Sequence, residues 1–354
     1  MKYALIGCGR ISFNHIQAAL DNNLDIIAIC DIDPKMMKEK KEKFNLGDKV
    51  KLYEDYQEML KNEKLDLVAI TTESGKHAAI AIDCLNAGIN LIIEKPIALS
   101  MNDARTIVKL AREKKLVVSP SHQNRFNKSI AKVREAVEEN KFGRKLYGTA
   151  HIRWNRGESY YKQAPWRGTW EQDGGALMNQ CIHNIDLLIW MMDSEVDTVF
   201  AFTDNLMHDY IEAEDLGIAL LKFKDGSHGI IEGTTNVYPK NLEETLYIFG
   251  EQGTVKVGGT SVNVIEEWLF KDEDAEKVKS DHCEHPKNVY GFGHNPLYKN
   301  VILAIKEGKD PYVIVEDGMR AVEVVLAIYQ SAKTGLPVKL PLNGVASTDF
   351  KGRF

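Results

Sequence analysis

The segment Leu91-Ile92-Ile93-Glu94-Lys95-Pro96 joins a short apolar run to a charged turn. The run from Asn90 to Ile93, bounded by Gly88 and Pro96, is typical of a parallel strand buried on both faces. The carboxyl ends of such strands border the crevice where open α/β sheets bind ligands, so Lys95 is predicted to lie close to a cofactor. The alternative is a surface lysine that follows a strand, because short motifs often match by accident.

A glycine-rich turn near the N-terminus favours the cofactor interpretation. The strand-like Tyr3-Ala4-Leu5-Ile6 runs into Gly7-Cys8-Gly9-Arg10-Ile11-Ser12, where a helix is predicted to begin. Glycines at the first two positions let backbone amides approach a pyrophosphate at the helix N-terminus, and Ser12 stands in the place of a third glycine. A second apolar run ends at Asp31, whose carboxylate can accept both ribose hydroxyls, which favours NAD over NADP. An ordinary turn is the alternative.

Strands and helices alternate through the first third of the chain. Strands are predicted at 65–72, 90–93 and 116–119, and helices at 78–87 and 102–114. This alternation predicts a doubly wound parallel sheet of the Rossmann type. Thr72, Ser74 and His77 follow the carboxyl end of one strand and are predicted neighbours of the cofactor, with helix capping as the open alternative.

The pattern changes in the second half of the chain. Strand-like runs recur at 149–154, 198–203, 216–224, 228–235, 246–249 and 254–257, and Asp225-Gly226 is typical of a hairpin turn. These runs predict an open, mostly antiparallel sheet in an α+β domain. We therefore predict an NAD-binding Rossmann domain at 1–122 and a substrate-binding and oligomerisation domain at 123–354.

One helix of the second half carries a polar stripe. After Gly174-Gly175, apolar residues recur at helical spacing, and Asn179, His183 and Asp186 lie together on an adjoining stripe. Asn179 and His183 can therefore face a pocket jointly, with Asp186 near enough to orient the imidazole. A core histidine with a satisfied hydrogen bond is the alternative. A metal site is disfavoured, because asparagine is a poor partner for a histidine ligand and no third ligand has a familiar spacing.

Composition limits the class of protein. The chain has 354 residues, 44% hydrophobic content and a net charge of -6, without a basic run, which argues against a nucleic-acid partner. Five scattered cysteines predict reduced thiols in a reducing cytoplasm. No long apolar segment suggests a signal peptide or a membrane span, so a cytoplasmic protein without a membrane partner is expected.

The glycine turn, the Glu94-Lys95-Pro96 triplet and the helix bearing His183 together resemble the Gfo/Idh/MocA family of sugar oxidoreductases over nearly the whole chain. Most relatives are expected to carry an aspartate four residues before that histidine, where this chain has Asn179. Within the family, Ser121 to Phe126, Tyr160-Tyr161, Trp166 to Trp170 and Glu232 to Pro239 look like the UDP-N-acetylglucosaminuronic acid 3-dehydrogenases of bacterial polysaccharide synthesis.

The narrower resemblance implies a reaction. The chain would oxidise C3 of UDP-N-acetylglucosaminuronic acid with NAD, giving a 3-keto nucleotide sugar that an aminotransferase of surface polysaccharide (O-antigen) biosynthesis aminates. It also implies a homo-oligomer, often a tetramer, and reoxidation of bound NADH by 2-oxoglutarate in several relatives. A family dehydrogenase for another sugar or an inositol is one alternative, and an NAD(H)-binding sensor without turnover is another.

Removal of a hydride from a secondary alcohol requires a base and a group that stabilises the growing alkoxide. Lys95 and His183 are the predicted catalytic residues, with His183 as the base and the reverse assignment left open. The residues predicted to bind the cofactor are Gly7, Gly9, Arg10, Ile11, Asp31, Thr72, Ser74, His77, Glu94, Lys95, Gln123, Trp166 and Arg167. The residues predicted to bind the substrate are Lys95, Arg125, Arg156, Tyr160, Asn179, His183, Asn236 and Tyr238. For any single arginine an exposed salt bridge is the alternative.

Overall fold

The computed structural model describes residues 1–286 and 288–353. Its strands are β1 Lys2–Ile6, β2 Asp25–Cys30, β3 Lys51–Tyr53, β4 Leu67–Ile70, β5 Asn90–Ile93, β6 Val118–Pro120, β7 Lys145–Arg153, β8 Val196–Asp204, β9 Leu216–Phe223, β10 His228–Thr234, β11 Glu243–Gly250, β12 Gly253–Gly258, β13 Val264–Phe270 and β14 Val338–Lys339. Its α-helices are α1 Ser12–Asp21, α2 Pro34–Lys43, α3 Tyr56–Asn62, α4 Ser74–Asn86, α5 Met101–Lys114, α6 Lys128–Glu138, α7 Glu158–Tyr161, α8 Ile182–Met192, α9 Ala275–Asp281, α10 His294–Glu307 and α11 Val315–Thr334. Short 3₁₀ turns cover Gln123–Phe126 and Ser347–Phe350, and a π-helical turn covers Leu177–Cys181.

The chain forms two compact units. The first combines Met1–Ser121 with His294–Met319, and the second combines His122–Gly293 with the residues from Arg320 onward. The sequence analysis placed His294–Met319 in the second domain. In the structure α10 instead packs on α1 and buries Leu297, Tyr298 and Val301 within the first unit. No pattern in the sequence of this segment indicates which sheet its helix joins.

The first unit contains a parallel sheet in the order β3-β2-β1-β4-β5-β6. The order of the strands along the chain runs one way from β1 to β3 and the other way from β4 to β6. This is the topology of a doubly wound sheet, as the sequence predicted. Strands β4 and β5 are buried along their lengths, apart from Asn90 at the start of β5, because helices cover both faces of such a sheet. The carboxyl ends of β1, β2, β4 and β5 therefore bring their loops to one edge.

Two helices and one strand of this unit escaped the sequence analysis, namely α2, α3 and β3. Helix α2 is almost entirely polar and buries only Met37, so it lacks the apolar stripe that marks a helix. It begins instead on local chemistry, because the Asp33 side chain accepts the Lys35 amide and Pro34 fills the first helical position. The capping residues Asp33 and Pro34 indicate where this helix begins, whereas the spacing of its apolar residues does not.

The second unit is built on a mostly antiparallel sheet in the order β13-β12-β11-β7-β10-β9-β8-β14. One pairing departs from the antiparallel pattern, since β7 and β10 run parallel with Ile231 opposite Ala150. Helix α8 packs on β7 and β11, and α6 packs on α8 and β12. Along β9, Ala219 and Leu221 are buried while Leu220 is 54% exposed, so one face of the sheet is covered within the unit and the other presents apolar side chains.

Cysteine usage agrees with the expectation of reduced thiols. All five cysteines are free, four are buried, and Cys283 is half-buried. In residues 1–286 and 288–353 the helices are all too short or too polar to cross a membrane.

Candidate active site

The glycine turn after β1 has the geometry of a dinucleotide loop. Gly7 has a φ of +97°, and a Cβ at this position would lie 2.6 Å from the carbonyl carbon of Thr71, so only glycine fits. A Cβ on Gly9 would meet no atom within 4 Å, which leaves the backbone of this position open to a ligand. Arg10 is exposed and Ile11 half-buried, directly before α1. The loop therefore leaves room for a pyrophosphate at the start of a helix.

The acid at the end of β2 is held in place by backbone amides. Asp31 Oδ2 accepts the Cys8 amide at 2.6 Å, and Asp31 Oδ1 accepts the Asp33 amide at 2.9 Å. The carboxylate is thereby fixed against the glycine turn, and Asp31 remains only half-buried. A carboxylate held here suits the ribose hydroxyls of NAD, and contact of Asp31 with the ribose stays a prediction.

His77 ties two loops of the same edge together. Its Nδ1 lies 2.7 Å from the Pro96 carbonyl oxygen, and its Nε2 lies 3.0 Å from the carbonyl oxygen of Thr72. Burial lowers the pKa of His77, against the effect of the two carbonyls, so the ring is neutral near pH 7. Ser74 is also buried, in the first turn of α4. The structure thus shows His77 fixing the loop that carries Lys95, and direct contact with a cofactor stays a prediction.

Glu94 is buried although it precedes the half-buried Lys95. Its Oε1 accepts a hydrogen bond from His15 Nε2 at 2.9 Å, and its Oε2 accepts the Lys95 amide at 3.2 Å. His294 Nε2 lies 4.0 Å from Glu94 Oε1. The side-chain nitrogen and oxygen atoms by which His15, Glu94 and His294 face one another all lie within 4.8 Å, so the three residues form one buried cluster.

In the second unit, the segment before α8 is a π-helical turn that the periodicity did not predict. Its apolar residues are buried, while Asn179, Gln180 and His183 are half-buried among them. Asn179 Nδ2 donates to Asp173, and Gln180 Nε2 donates to Asn179 Oδ1 at 2.7 Å. Single π-turns inside helices are frequent at functional sites. The turn therefore gathers the amide side chains around a buried carboxylate.

A group of polar and aromatic side chains continues from Gln180. We call Arg156, Tyr160, Arg167 and Gln180 the tyrosine–arginine cluster. The Tyr160 hydroxyl accepts from Arg167 Nη1 at 2.6 Å and from Gln180 Nε2 at 2.8 Å, and Arg156 Nε donates to Gln180 Oε1 at 3.1 Å. The Arg156 and Arg167 guanidiniums stack on the Tyr160 ring at 5.2 and 4.3 Å from its centroid. Two fixed cations on one aromatic ring make this cluster suited to an anionic ligand.

Trp166 belongs beside this cluster. The Arg167 guanidinium lies 4.4 Å from the Trp166 ring centroid, so Arg167 stacks on two aromatic rings at once. The sequence analysis grouped Trp166 and Arg167 with the cofactor and Arg156 and Tyr160 with the substrate. The structure brings Arg167 together with Tyr160, one of the predicted substrate residues.

Arg125 and Asp186 form a buried ion pair. Arg125 Nε donates to Asp186 Oδ2 at 2.8 Å, and Arg125 Nη2 donates to Asp186 Oδ1 at 2.6 Å, with both side chains 2% exposed. Asp186 was expected to orient His183, but this pairing engages both of its oxygens. His122 stands next to them, with Nδ1 3.8 Å from Asp186 Oδ2 and its ring edge-on to His183 at 5.7 Å. His122 is therefore the observed neighbour of His183, and Arg125 anchors this part of the fold.

The remaining predicted residues are spread over the second unit. Gln123 is buried in a 3₁₀ turn. Asn236 Nδ2 donates to Asp215 Oδ1 at 2.8 Å, so its amide serves the fold, whereas Tyr238 is 90% exposed. Arg153 pairs with Glu232 and Glu243 on the sheet. The tyrosine–arginine cluster is thus the part of the predicted substrate set that the structure assembles.

Sequence reasoning missed several residues of the site. The sequence analysis assigned no role to Asp173, Gln180, His122, His15 or His294. A signal existed for His15, because it lies three residues after Ser12 on the buried face of α1, where a polar side chain needs a partner. Glu94, the partner of His294, comes from a distant part of the chain and left no local pattern, whereas Asp173 contacts the nearby Gly168 and Asn179.

Comparison with known proteins places the chain in a family. Residues 1–122 match the Gfo/Idh/MocA oxidoreductase family model of the NAD-binding Rossmann fold, and residues 134–340 match its C-terminal α/β domain. The WlbA dehydrogenase of Bordetella pertussis, solved with NADH and UDP-GlcNAcA, is similar at 35% identity and a TM-score of 0.87, covering 97% of this chain and 98% of that one. The WlbA dehydrogenase of Chromobacterium violaceum, solved with the same two molecules, is 37% identical with a TM-score of 0.88, covering 97% and 96%.

A curated relative acts on a different compound. The myo-inositol 2-dehydrogenase of Thermotoga maritima is 25% identical over 345 residues, which cover 96% of this chain and 98% of the relative. The matches to both family domains, together with the glycine turn and Asp31, establish NAD as the cofactor. The chain therefore belongs to the Gfo/Idh/MocA family of oxidoreductases and is an NAD-dependent sugar dehydrogenase.

Proposed function

We propose that the enzyme oxidises the C3 hydroxyl of UDP-N-acetylglucosaminuronic acid to a 3-keto nucleotide sugar, which an aminotransferase of surface polysaccharide biosynthesis then uses. The observation that carries this proposal is the likeness to two WlbA dehydrogenases solved with UDP-GlcNAcA, at 35% and 37% identity over 97% of the chain. The sequence identity to the myo-inositol 2-dehydrogenase is lower, at 25%.

The tyrosine–arginine cluster supports an anionic substrate. A uronate sugar joined to UDP carries a carboxylate and a diphosphate, and arginine binds both types of oxyanion in a bidentate manner. Arg156 and Arg167 are half-buried and oriented by Tyr160, so little side-chain entropy is lost when they take an anion. A neutral polyol has no charge for these two groups to bind, which favours the nucleotide sugar over an inositol.

The proposed chemistry uses Lys95 and His183. NAD, when bound, supplies the acceptor for the hydride that leaves C3. His183 takes the proton of the C3 hydroxyl, and the Lys95 ammonium donates a hydrogen bond to the same oxygen as its negative charge grows. The carbon–oxygen double bond forms as the C3–H and O–H bonds break, so one hydride and one proton leave the sugar. His122, edge-on to His183, limits the orientation of the imidazole.

A dehydrogenase for another sugar or an inositol is the second candidate, favoured by the inositol relative. The proposal also includes reoxidation of NADH by 2-oxoglutarate. It further includes assembly into a homo-oligomer, such as a tetramer. The exposed apolar side chains Phe202, Ile218 and Leu220 on one face of the second sheet support an oligomer, because large apolar patches mark interaction surfaces.

The test is the absorbance of NADH formed with each of three compounds. UDP-N-acetylglucosaminuronic acid is expected to be oxidised, whereas UDP-N-acetylglucosamine, which lacks the carboxylate, and myo-inositol are not. Less accumulated NADH together with more 3-keto sugar formed on addition of 2-oxoglutarate would support recycling of NADH. Oxidation of myo-inositol at a higher kcat/KM than the uronate would replace the proposal with the second candidate.

An Arg156→Lys variant adds a matched control, because it keeps the charge and loses the planar fork. Its KM for the uronate is expected to rise about tenfold, since a bidentate pair contributes on the order of 1.5–3 kcal/mol. An unchanged KM would remove Arg156 from the substrate site.

A further inference from the structure

A chain of four hydrogen-bonding side chains leads through the core of the first unit to Glu94. The Tyr3 and Tyr298 hydroxyls lie 2.9 Å apart, the Tyr298 hydroxyl lies 2.8 Å from His15 Nδ1, and His15 Nε2 lies 2.9 Å from Glu94 Oε1. Tyr3, His15 and Tyr298 are fully buried. The chain draws on β1, α1, α10 and the end of β5, so it links four parts of the unit.

The hydrogen bonds of this chain have one favourable direction. A phenol can donate once, and burial raises the pKa of Tyr3 and of Tyr298 well above the usual value, so both keep their protons. If Tyr3 donates to Tyr298 and Tyr298 donates to His15 Nδ1, the proton on Nε2 is donated to Glu94, and each proton finds an acceptor. In the opposite direction the buried Tyr3 proton would need a further acceptor, at a cost of about 1–3 kcal/mol. The favoured direction gives a neutral His15 with its proton on Nε2.

With the protons donated in this direction, Glu94 is the negatively charged member of the four hydrogen-bonded side chains. Burial raises the pKa of Glu94, but the hydrogen bond from His15 and the positive charge of Lys95 act against burial, and the pKa lies below its usual value. The other titratable groups that face Glu94 are His77 on α4 and His294 on α10. Burial is the main cause that lowers the pKa of both, that of His294 to about 3, so neither supplies a positive charge near pH 7. Lys95, the next residue in the sequence, is therefore the positive charge that faces Glu94.

We propose that His15, held by Tyr298 and Tyr3, is a positioning residue that keeps Glu94 ionised and oriented beside Lys95. The fixed carboxylate favours the ammonium form of Lys95, which donates hydrogen bonds and does not accept a proton. Lys95 is then the donor to the substrate oxygen, and the proton of the alcohol goes to His183. This consequence for the reaction rests on the proposed function, whereas the ionised state of Glu94 does not.

The first experiment compares His15→Leu with His15→Gln. Leucine cannot donate to Glu94, whereas the glutamine amide can take the place of Nε2. We expect kcat of His15→Leu at pH 7 to fall about a hundredfold and to recover partly as the pH rises, because the unsupported Glu94 is protonated at low pH. His15→Gln should regain most of the rate with a wild-type pH profile. Equal rates and profiles for wild type and His15→Leu would overturn the proposal.

A second experiment needs no substrate and so separates this inference from the proposed function. It measures the melting temperature between pH 5 and pH 7. In wild type the pKa of Glu94 is depressed, so its stabilising effect is present above the usual carboxyl pKa and is lost only as the pH falls below it. In His15→Leu burial dominates and raises the pKa of Glu94, so the stabilising effect is lost as the pH rises. The melting temperature of the variant is therefore expected to fall from pH 5 to pH 7 relative to wild type.

The double variant His15→Leu/Glu94→Gln identifies the titrating group. The relative fall in melting temperature should vanish in it, because glutamine does not titrate. A fall that persists in the double variant would contradict the proposal. If wild type fails to oxidise the uronate but the melting experiment gives the expected fall, the proposed substrate is wrong and the ionised pair stands.

Tyr298→Phe provides a milder change in case His15→Leu does not fold. It removes the donor to His15 Nδ1 and should reproduce the pH effect in part. Tyr56→Phe is the matched control, because Tyr56 also hydrogen-bonds a carboxylate in the first unit, Asp83 at 2.8 Å, outside this chain. An equal effect of both phenylalanine variants would reduce the role of Tyr298 to general stability and overturn the proposal. One bound metal ion per wild-type chain, lost in His15→Leu, would overturn it in favour of a metal site.

Discussion

Two buried glutamates lie behind the two proposed catalytic residues, and they are held in opposite charge states. Glu94 precedes Lys95 and is ionised, because His15 donates to it and Lys95 is a nearby cation. Glu214 lies behind the segment that leads to His183, and its side chain is hydrogen-bonded with uncharged groups, the Leu177 amide and the Tyr329 hydroxyl. Burial raises the pKa of Glu214 to about 8, with a further rise from the charge of Asp173.

The hydrogen bonds of Glu214 agree with a neutral carboxyl group. Its Oε1 accepts the Leu177 amide at 2.8 Å and lies 2.8 Å from the Tyr329 hydroxyl, which also lies 2.6 Å from the Gly174 carbonyl oxygen. One phenol proton cannot serve both oxygens, so Tyr329 donates to Gly174 and the carboxyl proton is donated to Tyr329. The comparison teaches that burial alone does not set a charge state, because the available partners decide it.

The sharpest test of this comparison removes the two proposed catalytic groups, Lys95 and His183. Lys95→Ala and His183→Ala are each expected to lower kcat by about 10²- to 10⁴-fold, because proton transfer and alkoxide stabilisation contribute at this scale. Steady-state NADH formation measures both. If both variants keep near wild-type turnover, neither residue has its proposed role.

The contact between Glu214 and the glycine pair is tested by Gly175→Ala. Gly175 has a φ of +95°, and a Cβ there would lie 1.8 Å from Glu214 Oε2, so the alanine must displace the carboxyl group. We expect a loss of about 2–4 kcal/mol in the free energy of unfolding, measured in urea. Gly9→Ala is the control, because its Cβ meets open space. It should weaken NAD binding and leave stability nearly unchanged, and equal losses for both variants would contradict the close contact.

The charge state of Glu214 predicts a pH dependence opposite to that of Glu94. A carboxyl group whose folded pKa is raised stabilises the fold fully below its usual pKa of about 4.5, and this effect is lost as the pH rises towards about 8. Glu214→Gln removes this contribution. Its melting temperature relative to wild type should therefore rise between pH 5 and pH 8, with kcat at pH 7 within about twofold of wild type. A flat difference would show that Glu214 is ionised across this range.

The smallest expected effect concerns Asn179, where relatives are expected to have an aspartate. Its amide donates to the buried Asp173, so Asn179→Asp would place two carboxylates in contact. They would share a proton, and we expect stability at pH 8 to fall by about 1–2 kcal/mol, with a smaller loss at pH 5. Urea unfolding at both pH values measures the change. Equal stability of variant and wild type would mean that Asp173 is already protonated.

The parallel sheet was predictable because its signals are local. Strand β5 has the predicted bounds, Asn90–Ile93, and the positive φ of Gly7 and the fixed Asp31 agree with the motif that predicted them. The last long helix ends just before Gly335, which has a φ of +70°, as helix-terminating glycines often do. Apolar runs, glycines and terminal acids each act within a few residues, which a sequence displays directly.

The partners of buried polar groups were not predictable, because they come from distant positions. The sequence assigned Asp186 to His183, yet Asp186 pairs with Arg125, 61 residues away. His294 lies against Glu94 only because α10 returns to the first unit. The π-helical turn at Leu177–Cys181 was missed since its residues also fit a regular helical stripe. Pairing across the chain depends on topology, and no local pattern in one sequence encodes it.

The most direct test of the proposed reaction uses UDP-N-acetylglucosaminuronic acid deuterated at C3. We expect the enzyme to transfer this deuterium to NAD, so mass spectrometry should find reduced cofactor heavier by one deuterium. Reduced cofactor without deuterium would show oxidation at another carbon, and no reduced cofactor at all would show that the uronate is not the substrate. Either result would contradict the central claim, while transfer of the label would establish both the sugar and the carbon.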